Sequence, residues 1–90
     1  MKITYDPNKR ILTLTHRNLD FEHANQIFAN LFYTKEDTRK DYGEIRFITV
    51  GFLHGNMVVM VWTQRGAARH IISLRRANEK ERKIYKILLD

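Results

Sequence analysis

Met57 to Trp62 reads Met-Val-Val-Met-Val-Trp, six apolar residues without a polar break. The run is far too short to span a bilayer, and it reads as a strand. A strand with no polar face must be covered on both sides. Helices supply one cover. The other is the C-terminal helix or a partner chain.

The neighbours of this run extend the pattern into a sheet. Ile45 to Leu53 reads as a strand, His54-Gly55-Asn56 as a tight turn, and Met57 to Thr63 as the return strand of a hairpin. Gln64-Arg65-Gly66-Ala67 turns again, into a strand from Ala68 to Leu74. Simple alternation puts His70, Ile72 and Leu74 on one face of that strand, and Arg69, Ile71, Ser73 and Arg75 on the other. Phe32 to Glu36 is a further strand, and Asp41-Tyr42-Gly43-Glu44 a turn.

Helix signals flank this block. Ile3-Thr4-Tyr5 is a short strand, after which Asp6 caps and Pro7 starts an amphipathic helix to Asn18, with Ile11, Leu12 and Thr15 on one side. Asp20 caps a second helix over Phe21 to Asn30, where Phe21, Ala24, Ile27, Phe28 and Leu31 follow helical spacing. Asn78 caps the last helix, with Glu81 three residues on as in a capping box. Ile84, Ile87 and Leu88 share one face of it. The order predicts a single α+β domain over residues 1–90. It has an antiparallel sheet of about four strands, two N-terminal helices and one C-terminal helix.

Charge divides the chain sharply. The net charge is +6, yet Met1 to Gln64 carries eight Lys/Arg against seven Asp/Glu, whereas Arg65 to Asp90 carries eight against three. A basic end on a neutral body is the footprint of a polyanion binder. An acidic protein partner would be drawn to the same surface, and a solvated charged face remains the plain alternative. There is no cysteine, which rules out disulfides and thiolate metal sites and suits the cytosol. The N-terminus has no apolar stretch of the kind a signal peptide needs.

The chemistry-bearing residues gather near the same end. Arg65, Arg69 and Arg75 converge at the strand ends if the sheet folds as supposed, and arginine forks suit phosphate. His70 has the side chain best suited to proton transfer near neutral pH. Glu44 with Arg46 makes a carboxylate and an orienting cation. Tyr85 lies one helical turn from Glu81 and Arg82. The four histidines share no metal-ligand spacing, so no metal site or other cofactor is expected. No phosphate-cradling glycine loop or nucleophile elbow is present. These parts suit metal-free RNA cleavage, which needs a base for the 2′-hydroxyl, an acid for the leaving oxygen and cations for the phosphate.

The whole chain resembles the BrnT family of bacterial type II toxins, small ribonucleases with a RelE-like fold. The likeness rests on Tyr5-Asp6-Pro7-Asn8-Lys9, Leu19-Asp20-Phe21-Glu22-His23-Ala24, Asp41-Tyr42-Gly43-Glu44-Ile45-Arg46, the strand Met57 to Arg65, and His70-Ile71-Ile72-Ser73-Leu74-Arg75-Arg76-Ala77 followed by Glu81-Arg82 and Tyr85. Thr15-His16-Arg17 stands where many members have Lys-His-Gly, and His70 where many have Arg. Leu74 and Arg76 replace the usual Ala and Lys.

The resemblance implies a cytoplasmic endoribonuclease that arrests growth and has no membrane partner. It also implies a cognate antitoxin with a ribbon-helix-helix DNA-binding domain, through which the hetero-oligomer binds operator DNA. Carried onto this chain, the matching polar residues are Glu44, Arg46, Thr63, Arg65, Ser73, Arg75, Arg76, Arg82 and Tyr85. With His70 and Arg69 from the reading of the residues, catalysis is expected at His70, Arg65, Arg75 and Glu44, and RNA binding at Arg46, Arg69, Arg76, Arg82 and Tyr85. Arg75 and Arg76 together would hold the scissile phosphate. The rival reading is a non-catalytic basic module that binds nucleic acid or protein.

Overall fold

The computed structural model describes residues 1–89, and in it the apolar run lies in the middle of a five-stranded sheet. The elements run β1 (Lys2–Tyr5), α1 (Pro7–Arg17), a 3-10 turn (Phe21–His23), α2 (Asn25–Phe28), β2 (Tyr33–Glu36), β3 (Arg46–Leu53), β4 (Asn56–Arg65), β5 (Ala68–Arg76) and α3 (Glu79–Leu89). The strand order is β1-β5-β4-β3-β2. Strands β2 to β5 pair antiparallel, as expected, but β1 joins parallel to β5. The sheet is therefore mixed and has five strands rather than about four. Pairing with β1 satisfies the backbone of a β5 edge that would otherwise be open. Where β1 ends, α1 takes over: Lys9 Nζ donates to the Ile72 carbonyl at 3.4 Å and Arg17 to the Leu74 carbonyl at 2.9 Å.

Local signals set the helix starts. Asp6 accepts from the Asn8 amide at 2.9 Å with Pro7 at the first position of α1. The capping box of α3 forms in both directions: the Asn78 side chain accepts from the Glu81 amide at 2.8 Å, and Glu81 accepts from the Asn78 amide at 2.9 Å. The single helix expected over Phe21 to Asn30 is instead a 3-10 turn followed by one turn of α2. Its buried residues Phe21, Ala24 and Ile27 recur every third position, the 3-10 period. The bonds His23 N to Asp20 O, Ala24 N to Phe21 O and Ile27 N to Ala24 O follow that period too.

Both faces of β4 are covered. On one, Leu19, Phe21, Ala24 and Ile27 pack against Val58, Met60, Trp62, Ile71 and Leu74. On the other, Ala77 and Leu89 pack with Val50, Met57 and Val59, and Tyr85 leans on the same cluster. The C-terminal helix thus supplies the second cover, over part of that face. Its inward residues are Glu81, Tyr85 and Leu89, so the Ile84, Ile87 and Leu88 face points to solvent. Helix α1 buries no residue fully, and Ile11 and Leu12 stay largely exposed.

A bulge in β5 decides which side chains reach which face. Val61 pairs with Ser73 but Trp62 with Ile71, leaving Ile72 as the extra residue. Ile71 and Leu74 consequently point into the same core, against simple alternation. Ser73 and Arg75 point to the opposite face, the one shared with α3.

Candidate active site

Between the part-covered sheet face and α3 lies a cavity of about 280 Å³. Its floor is Ile48, Val50, Val59 and Val61, and its walls carry Lys35, Arg39, Ser73, Arg75, Glu81 and Tyr85. Each wall residue is placed by an element already described. Lys35 sits opposite Ile48 in the β2–β3 register, and Arg75 opposite Val59 in the β4–β5 register. Glu81 and Tyr85 come from the inward face of α3. A larger hollow, about 400 Å³ between α1 and β5, is lined by Lys9, Leu12, Thr13, His16 and Arg17 and gathers no carboxylate.

Arg75 and Glu81 form a two-pronged pair, Nη1 to Oε1 at 2.7 Å and Nη2 to Oε2 at 2.9 Å. These bonds, with help from the Asn78 amide, pull the Glu81 pKa down to about 2 against the opposing effect of burial. The same bonds raise Arg75 above its ordinary value, while the nearby Arg39 charge works the other way. Arg39 is anchored through a second two-pronged pair, Nε and Nη2 each 2.8 Å from the Asp37 carboxylate. Asp37 is only 5% exposed, and Arg39 holds its carboxyl well below the usual carboxylate range. The cavity therefore presents two arginines fixed by carboxylates, a lysine, two hydroxyls and an apolar floor.

The sheet also carries a second polar cluster, around His70. His70 Nδ1 lies 2.8 Å from Thr4 Oγ1, its partner across the β1–β5 pair. Burial first, and then the Arg65 charge, push the His70 pKa below its usual value, so the imidazole is neutral near neutral pH. Glu44 accepts from Arg46 at 3.2 Å and from Arg65 at 3.5 Å. Arg46 also stacks over the Tyr42 ring, 4.2 Å from its centroid.

The structure divides the residues that the sequence grouped. His70, Glu44, Arg46 and Arg65 belong to one cluster, whereas Arg75 and Tyr85 belong to the cavity. Five residues of β5 separate His70 from Arg75, roughly 15 Å at strand rise. Arg65, Arg69 and Arg75 do not converge, because Arg69 turns to the helical side and stacks over Phe28 at 3.6 Å and Trp62 at 5.2 Å. Its Nε is buried without a partner, and burial lowers its pKa. Arg76 sits opposite Val58 of the helical core, on the far side from Arg75, and donates to the Arg17 carbonyl. Neighbours in a strand point to opposite faces, so Arg75 and Arg76 do not hold one phosphate together. Arg82 donates to the Ala77 carbonyl at 2.7 Å, closing the strand–helix corner.

Lys35 and Arg39 were not among the residues singled out from the sequence. Lys35 shares its face of β2 with Tyr33, a signal that becomes readable once the β2–β3 register is known. Arg39 follows Asp37 at the spacing of a local ion pair.

A sequence model of the family described as ribonuclease toxin, BrnT, of type II toxin-antitoxin system matches residues 5–81. The chain belongs to the BrnT family. No curated protein matches it. The match ends at Glu81, so it takes in every BrnT cavity residue named above except Tyr85. BrnT membership implies an RNA substrate and an antitoxin partner. Among the described residues of this BrnT chain, no helix is long and apolar enough to cross a membrane.

Proposed function

We propose that this chain is a metal-independent endoribonuclease that cuts RNA in the cavity between the sheet and α3. The convergence of Lys35, Arg39 and Arg75 on a space that also holds Glu81, Ser73 and Tyr85 carries the reading. The guanidinium of Arg75 takes two non-bridging phosphate oxygens in place of the Glu81 carboxylate. Lys35 and Arg39 add charge where the pentavalent phosphorus becomes more negative. Glu81, released from Arg75, accepts the proton of the 2′-hydroxyl. The 2′-oxygen bonds to phosphorus as the bond to the 5′-oxygen breaks, and the Tyr85 hydroxyl protonates the leaving oxygen. The products are a 2′,3′-cyclic phosphate and a 5′-hydroxyl.

His70 stands five positions along β5 from Arg75 and does not line the cavity. In this reading His70, Arg46, Arg65 and Glu44 bind flanking nucleotides. The protein works in the cytoplasm as a growth-arresting toxin. It is neutralised by a ribbon-helix-helix antitoxin whose complex binds operator DNA.

The Arg75–Glu81 pair also favours the rival reading, a binding module, because it occupies the best phosphate fork with a carboxylate. Product chemistry separates the two. A long end-labelled RNA is incubated with antitoxin-free protein and EDTA, and the new ends are analysed. Cyclic or 3′-phosphate ends support the nuclease. Intact RNA, bound by folded protein, supports the module.

A further inference from the structure

The outward face of α3 is the least covered apolar surface near the cavity. Ile84, Ile87 and Leu88 are 49%, 83% and 57% exposed. Spacings of three and four residues place them in one stripe along the helix. Lysines border it. Lys80 and Lys83 line a shallow hollow with Ile84, Asn78 and Glu79. Lys86 lies further along the exposed side. The two acidic residues of α3 do little to offset them: Glu79 pairs with Lys83 at 3.4 Å, and Glu81 is turned inward to Arg75.

We propose that this stripe seats an acidic amphipathic helix of the antitoxin. The inference rests on the antitoxin partnership of the family, not on the assignment of the cleavage cavity. Three aliphatic anchors at helical spacing match the helix-in-groove mode of recognition. The lysine border selects an occupant with carboxylates along its margins. A second copy of this chain fits poorly, because it sets one lysine-bordered stripe against another of the same charge. Single-stranded RNA prefers aromatic platforms, and the stripe has none. The other side of the same helix carries Glu81 and Tyr85, so a partner seated here grips one wall of the cavity without entering it.

The test uses the full chain and a fluorescent synthetic peptide with leucine and glutamate at helical spacing, compared with its leucine–lysine counterpart by fluorescence anisotropy. The expected result is saturable binding of the acidic peptide, weakened at least about tenfold in the lysine version and by Ile87→Ser. Ile84→Ser, on the same stripe, weakens it as well. Equal binding of both peptides overturns the proposal, as does binding that neither substitution affects. So does a chain dimer in sedimentation that Ile87→Ser dissociates, which makes a second copy the occupant. Co-flotation with anionic vesicles, abolished by Ile87→Ser while neither peptide binds, also overturns it. RNA cleavage is measured on the same Ile87→Ser protein and stays at the wild-type level. Absence of cleavage by wild-type protein defeats the nuclease reading alone and leaves the peptide result standing.

Discussion

Arg75 and Glu81 are joined fork to fork across the corner where β5 turns into α3, with hydrogen bonds of 2.7 and 2.9 Å. Glu81 is thus both the capping partner of Asn78 and a wall of the cavity. Under the proposed mechanism its carboxylate competes with phosphate for Arg75 in the resting protein and becomes the base once displaced. Glu81→Gln separates the two roles. Binding of a non-cleavable 2′-deoxy oligonucleotide should tighten, while RNA cleavage falls by about a hundredfold, the usual loss for a general base. Wild-type cleavage by Glu81→Gln removes it as the base.

Asn78→Ala removes the side-chain half of the capping box. Loss of such a cap costs about 1 kcal/mol. Urea unfolding should show a lower midpoint with an unchanged slope. An unchanged midpoint would mean that the bond to the Glu81 amide adds nothing to stability.

Gly51 lies buried in β3, where α2 and the chain after it come closest to the sheet. A Cβ there would stand 2.7 Å from Ile27 Cγ2 and 3.3 Å from Phe32 Cβ. Ile27 is fully buried and has nowhere to move. Gly51→Ala should destabilise the protein by about 1–3 kcal/mol, the range for overpacking. Thermal unfolding checks this, and a variant as stable as wild type contradicts the close approach.

Paired carboxylates, Asp37 among them, make stability acid-sensitive. Asp20, held by Arg10 at 2.8 Å, and Glu81, held by Arg75, both have pKa values pulled down to about 2. The unfolded chain therefore binds more protons than the folded one as pH falls. Stability is full above the ordinary carboxylate range and is lost between about pH 4.5 and 2. Asp20→Asn should flatten that slope, by on the order of 1 kcal/mol because Arg10 is more than a third exposed. His70 adds a separate, shallower slope. Its folded pKa is depressed, so stability is present above about pH 6.5 and declines as pH drops below it. Urea titrations across pH measure both, and a profile unaltered by Asp20→Asn contradicts the first.

Much of the fold was legible because its signals are local. Asp6-Pro7, the His54-Gly55 turn and the Asn78–Glu81 box each act within a few residues, and each forms as read. What escaped depends on distant pairing. The β1–β5 pair joins Thr4 to His70, 66 positions apart, and nothing near Thr4 announces it. The bulge at Ile72 inverts part of the face assignment of β5. That is why Arg69 and Arg75, placed together by alternation, end on opposite sides. On α3 the shared face of Ile84, Ile87 and Leu88 is legible, but its outward direction is not: the helix turns Glu81 inward, where Arg75 receives it. The cavity took shape only when Lys35 and Arg39 were brought in by the β2–β3 register and the loop after it.

Cleavage at Arg75 rather than at His70 is tested by a paired comparison. Cleavage of one end-labelled RNA is followed for Arg75→Ala and His70→Ala, each shown to be folded. The cavity account predicts that Arg75→Ala loses at least about tenfold, as a missing charge-stabilising donor does. His70→Ala should lose much less and mainly weaken RNA binding. Abolished cleavage in His70→Ala beside wild-type cleavage in Arg75→Ala would contradict the account and move the reaction to the Glu44–Arg65–His70 cluster.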